Sequence, residues 1–384
     1  MMSKILIIHG GGPTAVMNCS LYGAIERAKS SGEFDEILGA RFGISGAMNR
    51  DFYALHEIGD DKLKKLIYTP GTAIGTSRDP MEKEDYEKLA TVLSEEKIEF
   101  VIFNGGNGTM DTAGKFHRSA KKYGIKVMGI PKTMDNDLSV IDHAPGYASA
   151  AKYIAESTKE LVADVKSLPI HVVVMEALGR NAGWVTAASA LAEDGDNCAP
   201  DMILLPEIAF DEELFLRRVE ESWNKKRGMV VVCSEGLKYE NGDPIVKPIF
   251  QTGRSVYFGD TSSHLAELIV SRLNIKARAE KPGILGRASV YNRSQVDIDE
   301  AIEVGRLAVQ GILDGKDALM PGIFRKNKKD YQVEYRYIAL DEVMLTEKKM
   351  PEEFIDRESL YITDEFIRWA RPLVGDTRSD YCML

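Results

Sequence analysis

The chain is poor in the residues that build covalent or metal-held scaffolds. It has only four cysteines in 384 residues, Cys19, Cys198, Cys233 and Cys382, and no two of them form a CxxC pair. It has six histidines, none at a metal-like spacing with a cysteine. A disulfide framework and a zinc module are thereby excluded, and reduced, structural thiols of a cytoplasmic protein are expected. No apolar run approaches the ~18 residues of a membrane span. No basic stretch precedes an apolar one as in a secretory leader. The chain is therefore read as neither secreted nor membrane-spanning. Low-complexity segments and short repeats are also missing. Positive charge is in deficit, with 49 Lys and Arg against 59 Asp and Glu and a net charge of −10. That balance argues against nucleic acid as the main partner, and any bound polyanion must be met by a local cluster of cations and backbone N–H groups. What remains is ordinary for a folded protein, 44% hydrophobic and 28% charged. Because one core rarely grows beyond ~250–300 residues, two lobes are expected.

The pattern along the chain is strand, glycine turn, helix. Lys4–His9 is a short apolar run, read as a buried parallel strand. The cluster Gly10-Gly11-Gly12-Pro13-Thr14 follows, then a helical stretch over about 15–29. The unit recurs: a strand over 99–104, the turn Gly105-Gly106-Asn107-Gly108-Thr109, and a helix to about Tyr123. A strand over 127–130 runs into Pro131-Lys132-Thr133-Met134-Asp135-Asn136-Asp137, and a long helix is expected over 147–165. Strands of a second sheet are read at 170–175, ending in Gly179-Arg180, and at 229–233, ending in Glu235-Gly236. The fold expected is α/β, two doubly wound lobes with largely parallel sheets. The lobes are placed at 1–138 and at 139–325, the second with crossing segments, followed by a C-terminal extension over 326–384. Ligands of such sheets bind at the carboxyl ends of strands, where every glycine- or carboxylate-rich segment named here falls.

Glycines after a strand let the backbone approach a phosphate, and a helix N-terminus adds positive potential. One such turn serves sterics as readily as ligand binding, and the first is neither a Walker loop nor GxGxxG. The second doubles the signal, and 71–78 adds a third glycine-rich stretch with a cation, Arg78, suited to phosphate oxygens. The 131–137 segment crowds two carboxylates, a cation and a hydroxyl behind a strand. Turn chemistry alone explains Asp-Asn-Asp. The functional reading divides the labour: one Asp takes a proton from an attacking hydroxyl, the other helps hold Mg²⁺, and Lys132 offsets charge on the moving phosphoryl group.

Together, the 11–18 stretch GGPTAVMN, the GGNGT turn and PKTMDND resemble phosphofructokinases in wording, order and spacing. Glu176–Arg180 resembles the family's MGR element, Ser234-Glu235-Gly236 its sugar-binding acidic loop, and Leu285-Gly286-Arg287 its LGxxQR element; Ser294, Asp297 and Glu300-Ala301 continue the pattern. The likeness spans roughly 4–325. It implies transfer of a phosphoryl group to the 1-hydroxyl of fructose 6-phosphate, with Asp135 as base and Thr133, Lys132 and Arg180 in the catalytic set. It implies donor binding by Gly11, Gly12, Arg78, Gly105, Gly106, Asn107, Gly108 and Thr109, and Mg²⁺ held through Asn107 and Asp137. Sugar-phosphate binding falls to Thr133, Asp135, Asp137, Leu178, Gly179, Arg180, Glu235 and Arg287, with Arg293 and Arg278 as weaker clamps. Shared family sites imply a homodimer or homotetramer.

Departures from the pattern bear on the substrates. ATP-using members usually carry Asp at the position of Asn107. Diphosphate-using members carry Asp at the position of Gly108, where it fills the space of an ATP α-phosphate. Gly108 leaves that space open, and ATP is the expected donor on this ground. Lys132 and the wording around Pro13 resemble the long or diphosphate branch, so diphosphate is the alternative. On the acceptor side, His171 replaces a family Arg, Leu178 a Met and Gly286 a Gln. A related acceptor such as sedoheptulose 7-phosphate, or a non-catalytic regulatory subunit, thus stands beside the main reading. NAD and lipid kinases share a GGDGT-like turn but do not account for PKTMDND and Arg287 in this order.

Overall fold

The computed structural model describes residues 3–193, 199–252, 255–327, 331–344 and 347–377, and side chains are described outside 251–257. The chain forms two compact units. One comprises Met1–Tyr147 and Ala288–Lys348, the other Ala148–Arg287 and Lys349–Leu384. The division thus falls at 147/148 rather than 138/139. Residues 288–325 return to the first unit, and the stretch expected as one C-terminal extension is divided at 348/349.

The first unit is built on a seven-stranded sheet. Its order is Val333–Ala339, Leu319–Arg325, Lys126–Pro131, Phe100–Gly105, Lys4–His9, Glu36–Ala40, Phe52–Ala54. The inner pairings are parallel and the two outermost antiparallel. Lys4–His9 shows why its sequence reads as a continuous apolar run: both faces of the strand are covered. Ile5 and Ile7 pack with Leu21, Ile25, Val304 and Val309 on one side. Leu6 and Ile8 pack with Leu89, Val101 and Phe116 on the other. The chain leaves Lys4–His9 for Glu36–Ala40 on one flank and later returns to Phe100–Gly105 on the other. That reversal opens the crevice in which doubly wound sheets hold ligands, between the ends of Lys4–His9 and Phe100–Gly105.

The second unit carries a parallel four-stranded sheet, ordered Ala277–Glu280, Val172–Ala177, Met229–Ser234, Met202–Leu204. Its core gathers Val172, Val174, Met229, Val231, Phe215, Leu265 and Ile269. An antiparallel hairpin, Pro248–Thr252 with Ser255–Phe258, lies apart from this sheet. The expected α/β class with largely parallel sheets is borne out, and element bounds shift by only one or two residues. The first helix is Met17–Ser31 and the long helix Tyr147–Ser167. Cys19 and Cys233 are free and buried; Cys198 and Cys382 lie outside the described residues. Among the described residues no helix is long and apolar enough to cross a membrane.

Candidate active site

In the first unit, three turns meet at the crevice. Gly10 N–H donates to Asn104 O and Gly11 N–H to Ser77 O, both at 2.9 Å, while Thr76 Oγ1 donates to Gly11 O at 2.8 Å. The Gly10–Gly12, Gly105–Thr109 and 71–78 turns are thereby fixed to one another. Gly11 adopts φ +76°, a left-handed conformation that glycine takes without strain. A Cβ on Gly105 would stand 2.2 Å from Thr109 Oγ1, so the turn closes this tightly only with glycine there. Gly108 differs: nothing lies within 4 Å of its would-be Cβ. Arg78 is exposed at the end of its stretch.

Helix Asn107–Ala120 starts from Gly106 with no side-chain cap. Its first N–H groups have no intrahelical partner, which suits an anion. Behind the turns His9 is buried, with Nδ1 2.6 Å from Thr72 Oγ1 and Nε2 3.3 Å from Asn104 Nδ2. Burial, reinforced by the charge of Lys132, pushes His9 down to about 3. A neutral ring accepting from the Asn104 amide carries its proton on Nδ1 and donates to Thr72.

The strand Lys126–Pro131 delivers the chemistry. Lys132 is buried, and its ammonium donates to Gly12 O at 2.7 Å. It stands 3.5 Å from the place a Cβ on Gly11 would occupy, so its charge lies against the Gly10–Gly12 turn. Thr133 Oγ1 donates to Asp137 Oδ1 at 2.8 Å and accepts from Asp135 N–H at 3.1 Å. Asn107 Nδ2 donates to Asp137 O and Oδ2, each at 3.0 Å. Asn107 Oδ1 is buried and has no hydrogen-bond partner among the described residues. Asn136, between the two carboxylates, adopts φ +52°, and its Oδ1 accepts from Ala144 N–H at 3.1 Å.

Sequence reasoning missed Lys348. Its N–H donates to Asp137 O at 2.8 Å, and its ammonium reaches Asp142 O, Ile141 O and Asn136 Oδ1. Burial pushes this ammonium down to about 7, against the pull of Asp142 and Asp137. No local signal marks it: it is one of a Lys-Lys pair far along the chain. His143, also missed, donates from its two nitrogens to Asp142 at 2.8 Å and Glu300 at 2.6 Å. Burial opposes its charge, but Glu300 and Asp142 outweigh burial and hold it up at about 9.

The second unit collects the other set. Gly179 N–H donates to Glu235 Oε1 at 3.3 Å, and Ser234 Oγ donates to Gly179 O at 2.7 Å. Arg180 is exposed, 4.0 Å from Glu235 and with its guanidinium 5.0 Å from the centre of the Phe258 ring. Arg287 lies in the short helix Leu285–Ala288 and is half-buried, as is Leu178. His171 precedes the strand Val172–Ala177 and so sits at the end opposite Arg180. Burial, then the charges of Arg278 and Lys276, push its titration down from the ordinary histidine value. Arg293 belongs to the first unit, where its guanidinium donates to the carbonyls of Val290, Ala15 and Ile67. Nε and Nη1 of Arg293 thus meet backbone carbonyls of the first unit.

The sequence model described as Phosphofructokinase matches residues 4–312. The chain belongs to the phosphofructokinase family. It is 35% identical to pyrophosphate–fructose 6-phosphate 1-phosphotransferase of Xanthomonas campestris, over 97% of this chain and 91% of that protein. It is 34% identical to the protein of the same name from Halomonas elongata, over 95% of this chain and 90% of that one. The crystal structure of pyrophosphate-dependent phosphofructokinase from Marinobacter aquaeolei superposes with a TM-score of 0.89 at 34% identity, covering 99% of this chain and 94% of that one. The phosphotransferase reading stands, but the expected preference for ATP finds no support: these relatives are named for diphosphate.

Proposed function

We propose that this phosphofructokinase takes its phosphoryl group from diphosphate and transfers it to the 1-hydroxyl of fructose 6-phosphate. The observation that carries the reading is the likeness to the Xanthomonas and Halomonas enzymes, which extends over nearly the whole chain. The ammonium of Lys132 inside the donor turn supports it, since a compact diphosphate presents its charge close to that turn. The open space at Gly108 is compatible with either donor, because diphosphate needs less room than ATP.

Each residue then has a task. The first unit binds the donor, through Gly11, Gly12, Gly105, Gly106, Gly108 and Thr109 with the Asn107–Ala120 N-terminus. Asp135 accepts the proton of the sugar hydroxyl as its oxygen bonds to phosphorus and the bond to departing phosphate breaks. Lys132 offsets charge on the transferred group. The second unit binds the sugar phosphate, with Glu235 and Gly179 on hydroxyls and Arg287 on the 6-phosphate.

Among the described residues no cluster of three or more His, Cys, Asp or Glu could hold a metal. Mg²⁺ needs less, since it is commonly held by one or two carboxylates with substrate phosphates and water supplying the rest. Asn107 Oδ1, buried without a partner, and the Asp137 carboxylate beside it fit that role. Mg²⁺ there supplies charge neutralisation for the phosphoryl oxygens.

The test is a matrix of initial rates with Mg²⁺, pairing diphosphate or ATP with fructose 6-phosphate or sedoheptulose 7-phosphate. Turnover of diphosphate with fructose 6-phosphate, well above the other three, is expected. ATP turning over while diphosphate is inert refutes the donor assignment.

A further inference from the structure

The 136–142 turn is held by a residue beyond the 4–312 stretch that defines the family match. We propose that Lys348 is a positioning residue for phosphoryl transfer, clasping this turn by side chain and main chain and thereby setting where Asp135 and Asp137 stand. The proposal rests on the phosphotransferase reading above and holds for either donor.

Four contacts converge on one lysine. Its ammonium donates to Asp142 O at 2.7 Å, Ile141 O at 3.0 Å and Asn136 Oδ1 at 3.3 Å. Its backbone N–H donates to Asp137 O at 2.8 Å, and the preceding residue, Glu347, forms an antiparallel bridge with Leu138. The turn is thus paired as if to a short strand, with the ammonium closing its far side.

Asn136 is where this geometry reaches the carboxylates. It separates Asp135 from Asp137, is fully buried, and holds a left-handed backbone that costs a non-glycine residue energy. Its Oδ1 is shared by Lys348 and Ala144 N–H. Fixing that side chain fixes the dihedrals between two consecutive site carboxylates. Lys348 therefore acts through Asn136 and the 137–142 backbone, not on substrate. Three acceptors arranged around a point suit an ammonium and not a planar guanidinium.

The experiment compares wild type with Lys348→Met, which keeps length and apolar bulk but removes the donors. Lys349→Met is the control, since that neighbour is exposed and makes none of these contacts. Three readouts are taken: kcat, KM for fructose 6-phosphate and the donor, and amide hydrogen exchange by peptide. Misplaced reacting groups lower rate more than binding, so kcat in Lys348→Met should fall about 10–100-fold while both KM values hold. Exchange should quicken in peptides covering 133–144 and nowhere else. Combining Lys348→Met with Asn136→Ala should cost little more than the worse single change, since both break one path. A Lys348→Met enzyme with wild-type kcat overturns the proposal. So does a raised KM at constant kcat, which would make Lys348 a binding residue, and so does accelerated exchange throughout the first unit, which would make it a general stability residue. If wild type phosphorylates no sugar with either donor, the functional reading fails, while unchanged exchange in 133–144 is the separate result that refutes the clasp.

Discussion

Replacing Asn107 by Asp should couple the stability of the turn to Mg²⁺. Asn107 Nδ2 now donates to Asp137 O and Asp137 Oδ2 at 3.0 Å. A carboxylate in its place turns two attractions into two repulsions. Held at 3.0 Å, two unit charges repel by about 5–6 kcal/mol at an effective dielectric near 20. The new side chain can rotate away, which exchanges that repulsion for two lost hydrogen bonds, one to a carboxylate worth roughly 1.5–3 kcal/mol and one to a backbone carbonyl worth roughly 0.5–1.5 kcal/mol. A negative charge on the first residue of helix Asn107–Ala120 returns about 0.3–1 kcal/mol. The net loss is about 1–4 kcal/mol, a Tm decrease of roughly 2–16 °C at ~2–4 °C per kcal/mol. Added Mg²⁺ should reverse much of it, because a dication between two carboxylates removes the repulsion, while wild type without substrate should respond far less. Thermal melts of both proteins in EDTA and in MgCl₂ read this directly. A variant as stable as wild type in EDTA, or indifferent to Mg²⁺, would refute the reasoning.

Two further outcomes are expected. Asp135→Asn removes the proton acceptor and should lower kcat by ~10²–10⁴-fold with fructose 6-phosphate KM little changed; a near-normal kcat removes Asp135 from that role. His143, held up at about 9 from an ordinary 6.5 by Glu300 and Asp142, contributes stability that is fully present below pH 6.5 and is lost as pH rises through 9, about 3 kcal/mol in all. Urea unfolding of wild type and His143→Phe at several pH values should show their difference narrowing by that amount; since Lys348 titrates in the opposite sense, the difference and not the wild-type curve is the readout. A gap that stays constant with pH shows that His143 carries no such linkage.

The sequence was most readable where chemistry is local. Strand, glycine turn and helix follow one another within a few residues, so the crevice and its turns could be located from spacing alone. PKTMDND is local in the same way: Thr133, Asp135 and Asp137 lie together in the fold because they are neighbours in the chain. Long-range partnerships were not readable. Lys348 meets Asn136 across 212 positions, and Arg293 meets Ile67 across 226. A lone Arg or Lys carries no mark that says whether a phosphate or a carbonyl awaits it. The expectation of ATP as donor rested on a different kind of signal. An empty space at Gly108 permits a large ligand without selecting for it, so steric absence alone is weak evidence for a donor.

The division of the chain bears on how it is made. Neither unit is continuous: the backbone passes from one to the other at 147/148, at 287/288 and at 348/349. The first sheet needs Leu319–Arg325 beside Lys126–Pro131 and then Val333–Ala339 at its edge. A ribosome therefore releases nearly the whole polypeptide before that sheet can close. Until then the Lys126–Pro131 strand has an open flank, the kind of unpaired apolar edge that invites association with other chains. Contacts of such sequence separation also slow folding. Synthesis of this enzyme thus has a long vulnerable interval, during which chaperone capture of the unfinished sheet has its greatest effect on yield.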